Sequence, residues 1–369
     1  MIVKLKVYTD MSLLEKGFPV EMLIPYIGLF NNEDEPGAVM YGRFDRYITV
    51  GKEIIELTTQ DEADVYLLPI RYDLLSEDAK TNYISYFYND ALSRNRKVIT
   101  FAGHDIANIK VPYTNAIVFN SACSKSIQPD NVFSYPHFFE DFQEKQYVEF
   151  NIKKKTDTDT IGFCGFAPPI NAVGKEKFVG FAKLIANYLG VIQRFPGKVS
   201  HSYRARAIIG LNKSKKIKQN FVLKKNFAFG SQGQLNSGNT TETNNDFRKN
   251  FIQNIVNSDY ILCVRGIGNN SVRFFETLCC GRIPIFVNTD STLPFDEIIN
   301  WKEFCIWIEE RDIDKIDEIV SDFHKNISEE DFIAIQYKVR KVWEDYLTPV
   351  GFFSNLYKLI YENHIYNSL

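Results

Sequence analysis

Ser258-Asp-Tyr-Ile-Leu-Cys-Val-Arg-Gly-Ile-Gly-Asn-Asn-Ser-Val-Arg-Phe-Phe-Glu-Thr-Leu-Cys-Cys-Gly-Arg-Ile-Pro-Ile-Phe-Val287 decides the fold. It reads as strand, glycine-containing loop, helix, glycine, strand. The loop Arg265 to Asn270 then lies at the carboxyl end of a parallel strand, where open α/β sheets bind ligands. A helix starting near Ser271 turns free N–H groups and its positive dipole end toward that loop, which suits a phosphate or diphosphate. Arg265 and Arg273 flank the spot and offer bidentate contacts to phosphate oxygens. Glu276 follows Arg273 by three residues, on the same helix face, and is placed to accept from ribose hydroxyls. These parts fit a nucleoside diphosphate. The plainer reading makes Arg273 and Glu276 a surface ion pair worth ~0–1 kcal/mol, with Gly266 and Gly268 as turn glycines. The glycine spacing is not the dinucleotide fingerprint, which needs a third glycine at the first βα turn.

Outward from this stretch the same alternation continues. Upstream, Ile2 to Val7, Asp64 to Ile70, Lys97 to Phe101, Asn115 to Phe119 and Val132 to Tyr135 read as strands. Ser76 to Arg94 reads as a helix with Ser76 as its N-cap. Strand and helix at these spacings predict parallel βαβ units. Phe150 to Thr160 is polar and charged, a linker, and the pattern restarts at Ile161-Gly-Phe-Cys-Gly-Phe166. A helix is expected over 176–189, strand-like runs at Phe221–Leu223 and Asn226–Phe229, and an exposed loop over 230–245. Helices are expected at Phe247 to Ser258, Asp312 to Trp343 and Gly351 to Tyr366, and a last strand at Phe304 to Ile308. No repeat of solenoid period is present. The expected domains are 1–150, a linker at 151–160, 161–345, and a carboxy-terminal helix at 346–369.

Composition agrees with two ordinary domains. The chain has 369 residues and is 45% hydrophobic, with 43 Lys+Arg against 46 Asp+Glu. That length predicts two domains at roughly 150 residues each. Disordered, collagenous and disulfide-scaffold classes are excluded. A net charge of −3 gives no global attraction to nucleic acid. The 30 Phe and 20 Tyr are mostly core filling. The six cysteines form no CxxC pair and read as reduced, buried residues. No run reaches the ~18 apolar residues of a membrane span, and the chain opens on a strand rather than a signal segment. A cytoplasmic location is expected.

The segment 258–301 resembles the exostosin family, inverting glycosyltransferases of family 47. The residues that carry the resemblance are Cys263, Arg265-Gly266, Ser271, Arg273, Phe275-Glu276, Gly281, Ile283-Pro284, Leu293-Pro294-Phe295 and Trp301. Ala63-Asp-Val-Tyr-Leu-Leu-Pro69 and Phe163-Cys-Gly165 are weaker similarities upstream. The resemblance implies a GT-B architecture: two Rossmann-like α/β domains facing a central cleft, acceptor in the first and nucleotide sugar in the second, with a carboxy-terminal helix crossing back to the first. It implies that Arg265 holds the diphosphate, with Gly266, Asn270, Ser271 and Arg273 beside it and Gly165 at the facing loop. Glu276 would bind the ribose. Arg204 or Arg206 is similar to a further family arginine facing the phosphates. Two departures stand out: Val264 replaces the usual proline before the Arg-Gly, and an amino-terminal membrane anchor like that of Golgi members is not expected. A microbial or viral enzyme acting on a surface glycan fits better, with a lipid-linked acceptor bringing it loosely to a membrane.

Inversion needs a base on the acceptor hydroxyl and charge stabilisation on the departing diphosphate. Asp73, after the Pro69 loop, and Asp105 with His104, after the Lys97–Phe101 strand, are the candidate bases. His137 is a third. Asp157-Thr-Asp159 matches the Asp-x-Asp string of metal-dependent transferases, but it lies in the linker, so no metal and no other cofactor is expected. The expected partners are a nucleotide-sugar donor, uracil preferred, and a glycan acceptor. Two other readings are a fucosyltransferase-like enzyme using GDP-fucose, whose helix would carry Thr-Glu-Lys where this chain has Phe275-Glu-Thr277, and a non-catalytic sugar-nucleotide or glycan binder.

Overall fold

Short all-apolar runs fold here as strands buried on both faces, as parallel sheets between helices require. The computed structural model describes residues 4–36, 38, 40–103, 109–145, 151–167, 186, 197–215, 217–224 and 244–362. The first sheet contains β1 (Leu5–Tyr8), β2 (Ile55–Leu57), β3 (Val65–Leu67), β4 (Val98–Ala102), β5 (Ala116–Asn120) and β6 (Val132–Ser134). Its order is β2-β1-β3-β4-β5-β6, every pair parallel. The second contains β7 (Thr160–Phe166), β8 (Lys218–Lys224), β9 (Tyr260–Cys263), β10 (Ile283–Asn288) and β11 (Ile306–Glu309). Its order is β11-β10-β9-β7-β8, again all parallel. These are two doubly wound α/β domains, as the sequence predicts. In each, the chain changes direction across the sheet once, between β1 and β3 in the first and between β7 and β9 in the second.

Strand β2 and the helices Asp45–Ile54 and Gly197–Lys213 are not among the elements expected from the sequence. β2 has only three residues and one fully buried side chain, too short to show a period. The helix after β3 is capped by Ser76, whose Oγ accepts from Ala79 N at 3.2 Å, and passes through a π-helical stretch, Lys80–Ile84, before Ser85–Ser93. Of the helix expected over 176–189, all but residue 186 lies outside the described residues, as do Asn226–Phe229. Asn244 already opens the helix Asn244–Val256, and the rest of the expected loop, 230–243, also lies outside them.

The polar segment before β7 is strapped to the second domain rather than spanning free space. Lys153 exchanges two backbone bonds with the Gln336 amide, each 2.9 Å, and its Nζ pairs with Asp259 at 2.9 Å. Asp159 is buried ahead of β7, so it sits at the amino ends of the strands, opposite the ligand-binding edge. Among the described residues, no group of three or more His, Cys, Asp or Glu side chains stands together as metal ligands.

The helix Pro349–Tyr357 crosses back to the first domain. Phe353 stacks on Tyr47 of helix Asp45–Ile54 at 4.7 Å between ring centroids. Phe352 meets Phe119 at 5.6 Å and Phe295 at 5.4 Å, one from each domain. One apolar core therefore runs through both domains. All six cysteines are buried and outside any disulfide, and burial pushes each of the thiols at 123, 263, 279, 280 and 305 up. Among the described residues no helix is long and apolar enough to cross a membrane.

Candidate donor-binding site

The switch point between β7 and β9 is where a ligand is expected in such a sheet, and three arginines converge on it. Arg204, from the helix Gly197–Lys213, donates Nη1 to Phe166 O at 2.9 Å and Nη2 to Arg265 O at 3.1 Å. It thus ties the end of β7 to the residue just past β9. Its Nε is buried and finds no acceptor among the described residues. Arg265, 3% exposed, donates to Ile267 O at 3.2 Å and braces its own loop. Arg273 donates to Cys164 O at 2.5 Å, and its guanidinium lies 4.4 Å from the Phe163 ring centroid.

Among the described residues, Arg204 and Arg273 donate only to backbone carbonyls, and neither pairs with a carboxylate. Burial, with the Arg273 charge beside it, pushes the Arg204 guanidinium down to about 9. Desolvated positive charge of this kind is costly unless an anion joins it. Glycines make the room. A Cβ on Gly165 would stand 2.8 Å from Arg273 Nη2, whereas a Cβ on Gly266 would meet nothing within 4 Å. Ser271 is the N-cap of the helix Val272–Cys279, but its side chain makes no capping bond. That helix start supplies the N–H groups and dipole expected of an anion site.

Several predicted site residues are used differently from expectation. Arg206 faces away from the site and pairs with Asp314 at 2.8 Å on the surface. The reason is helical: residues two apart do not share a face, so Arg204 turns inward and Arg206 outward. Asn270 spends its side chain on the domain junction, donating Nδ2 to Ser121 O at 2.9 Å, while its backbone O accepts from Gly266 N at 3.1 Å and closes the loop. Glu276 does not pair with Arg273. It is buried, and its Oε1 accepts from Arg248 Nη1 at 2.6 Å.

Three residues of this region escaped the sequence reading. Asn269, 1% exposed, donates to Cys123 O and Ser124 Oγ across the domain junction and to Asp290 O within its own domain, and accepts from Thr289 and Ser291. Arg248 and Glu140, joined at 3.0 Å, lie more than a hundred positions apart. No local spacing could have paired them.

On the facing domain, Asp73 sits in the single turn Tyr72–Leu74 after β3. Arg71 clasps it: Oδ1 accepts from Nε and Nη2 at 3.1 and 3.0 Å, and Oδ2 from Nη2 at 2.8 Å. His104 and Asp105 lie outside the described residues. His137 is 6.4 Å, ring to ring, from Phe275 on the donor-side helix. Glu21 is a further carboxylate of this domain, accepting from Tyr135 OH at 3.3 Å. Beyond the loop, a cleft of about 630 Å³ is lined by Lys125 of the first domain and by Asp290, Asp296, Glu297 and Glu309 of the second. Its carboxylates make it a poor host for a diphosphate. By charge, the arginine cradle at β7 and β9 suits an anion better than this cleft does.

Residues 202–323 match the Exostosin GT47 domain. The chain is 30% identical over 118 residues to Exostosin-1 of Drosophila melanogaster, covering 32% of this chain and 15% of that protein. It is 31% identical over 101 residues to the Exostosin-1 homolog of Caenorhabditis elegans, covering 27% of this chain and 25% of that protein. The matched segments thus span a quarter or less of these relatives' lengths. A solved glycosyltransferase from Rickettsia africae aligns over 99% of this chain and 100% of its own, at 11% identity and a TM-score of 0.35. The similarity to the exostosin GT47 family is thus confined to a segment of the second domain.

Proposed function

We propose that this protein is an inverting, metal-independent glycosyltransferase that takes a nucleotide sugar, with UDP preferred over GDP, as its donor. The observation that carries the reading is the convergence of Arg204, Arg265 and Arg273 on the β7–β9 switch point beside a helix start. The match of residues 202–323 to the Exostosin GT47 domain supports it. In the reaction the acceptor hydroxyl oxygen attacks the anomeric carbon from the face opposite the diphosphate. The new C–O bond forms as the bond to the diphosphate oxygen breaks, and the hydroxyl proton passes to a base. The three guanidiniums and the helix N–H groups take up the charge that grows on the leaving group, the task a divalent ion performs in other transferases. Asp73 is the proposed base. Its Oδ2 carries one bond from Arg71 and keeps a lone pair for the proton. The acceptor is a glycan hydroxyl, and a microbial or viral surface glycan made on the cytoplasmic side is the proposed setting.

The test is release of nucleoside diphosphate and transfer to acceptor from a panel of UDP- and GDP-sugars, with and without EDTA. Transfer should persist in EDTA, and Asp73→Asn should abolish it while donor binding survives. Activity that vanishes with EDTA and returns with manganese contradicts the metal-free mechanism. Donor binding by the wild type with no transfer to any acceptor favours a non-catalytic binder.

A further inference from the structure

Glu276 is nearly enclosed at 5% exposure, yet among the described residues only one of its oxygens is engaged. Oε1 accepts from Arg248 Nη1 at 2.6 Å, while Oε2 has no partner among the described residues. Arg248 is itself fixed from the other domain. Its Nε donates to Glu140 Oε1 at 3.0 Å, and Glu140 is fully buried in the segment after β6. The guanidinium is also sandwiched by rings, 4.7 Å from the Phe142 centroid and 5.7 Å from that of Phe251. Phe251 packs on Arg273 as well, at 5.5 Å, so the clamp adjoins the cationic cradle.

The next residue repeats the device. Asp141 accepts from Arg340 Nη2 at 2.6 Å, and Arg340 Nη1 donates to Cys279 O at 2.8 Å. Two consecutive acids of the first domain therefore grip one helix of the second, through two arginines, at Glu276 and at Cys279.

We propose that Glu140 and Arg248 are positioning residues for donor recognition: they hold Glu276 as a fixed anion whose open oxygen takes the ribose hydroxyls of a nucleoside diphosphate. This rests on the donor-site reading above. The physical reason is that a buried carboxylate stays charged only beside a counter-charge, and an acceptor held in one rotamer loses less entropy on binding. Arg248 supplies both without covering Oε2. Donor recognition then draws on a first-domain carboxylate, Glu140, that does not touch the donor.

Calorimetric titration of the full chain tests this, using UDP, 2′-deoxy-UDP and inorganic diphosphate as probes, with GDP and 2′-deoxy-GDP substituted if the wild type prefers guanine. The wild type should bind the ribonucleotide about tenfold more tightly than its 2′-deoxy form, the worth of one hydrogen bond to a charged acceptor. Arg248→Met should erase that discrimination while leaving inorganic diphosphate affinity unchanged. Arg248→Lys should restore part of it, and Glu140→Gln should reduce it. Equal weakening of all three probes, or full discrimination in Arg248→Met, overturns the inference. If Arg248→Met does not fold, Glu140→Gln decides by the same comparison, and unchanged discrimination there overturns it. A wild type that binds neither UDP nor GDP removes the donor-site reading and this inference together. Variants that keep discrimination in a nucleotide-binding wild type remove this inference alone.

Discussion

At the scale of single residues, the site depends on what side chains leave empty as much as on what they fill. Gly165 lets the Arg273 guanidinium lie against the end of β7, since a Cβ there would stand 2.8 Å from Nη2. Gly165→Ala should push that guanidinium aside and weaken UDP binding about tenfold. Its thermal midpoint should fall as well, because Gly165 holds a φ of +157°, a backbone conformation that alanine rarely adopts. Titration beside a melting curve checks this, and unchanged affinity would mean Arg273 does not face the ligand. The residue types at the loop were legible in the sequence, because Arg265, Ser271 and Arg273 lie within nine positions. Their partners were not. Whether Arg204 or Arg206 turns inward depends on how the helix Gly197–Lys213 rolls against the sheet. The bond from Arg248 to Glu276 exists only once two helices pack.

At the scale of elements, strand–loop–helix order carried most of the fold. β3, β4, β5, β9 and β10 are apolar runs bounded by polar or turn residues, and each run shows at the sequence level. The three-residue β2 and the helix Asp45–Ile54 lacked such a signal, being placed by the strand and helix they pack on. The helix Val272–Cys279 is held at its far end by Arg340, which binds Cys279 O and Asp141. Arg340→Met leaves the Asp141 carboxylate without its cation in a largely enclosed setting. Loss of one partner of a buried pair typically costs about 3–5 kcal/mol. Denaturant unfolding should show a loss of this order, with the slope unchanged. A loss under about 1 kcal/mol would place the pair among exposed bridges of little worth.

At the scale of the whole molecule, two switch points lie at the carboxyl edges of two sheets, and the junction between the domains is built from those same edges. Asn269 and Asn270 come from the donor loop yet bond to residues 121 to 124 of the first domain. The loop that would hold the diphosphate is thus also the seam between domains, and the aromatic core around Phe352 is shared by the two. A net charge of −3 conceals this arrangement, since the cationic cradle is local and desolvated. The most direct measurement is the calorimetric affinity of UDP and GDP for the wild type and for Arg265→Ala. Removing that guanidinium should abolish measurable binding of the nucleotide that the wild type takes, while circular dichroism stays unchanged. Equal affinity in the folded variant would contradict a donor site at the β7–β9 switch point.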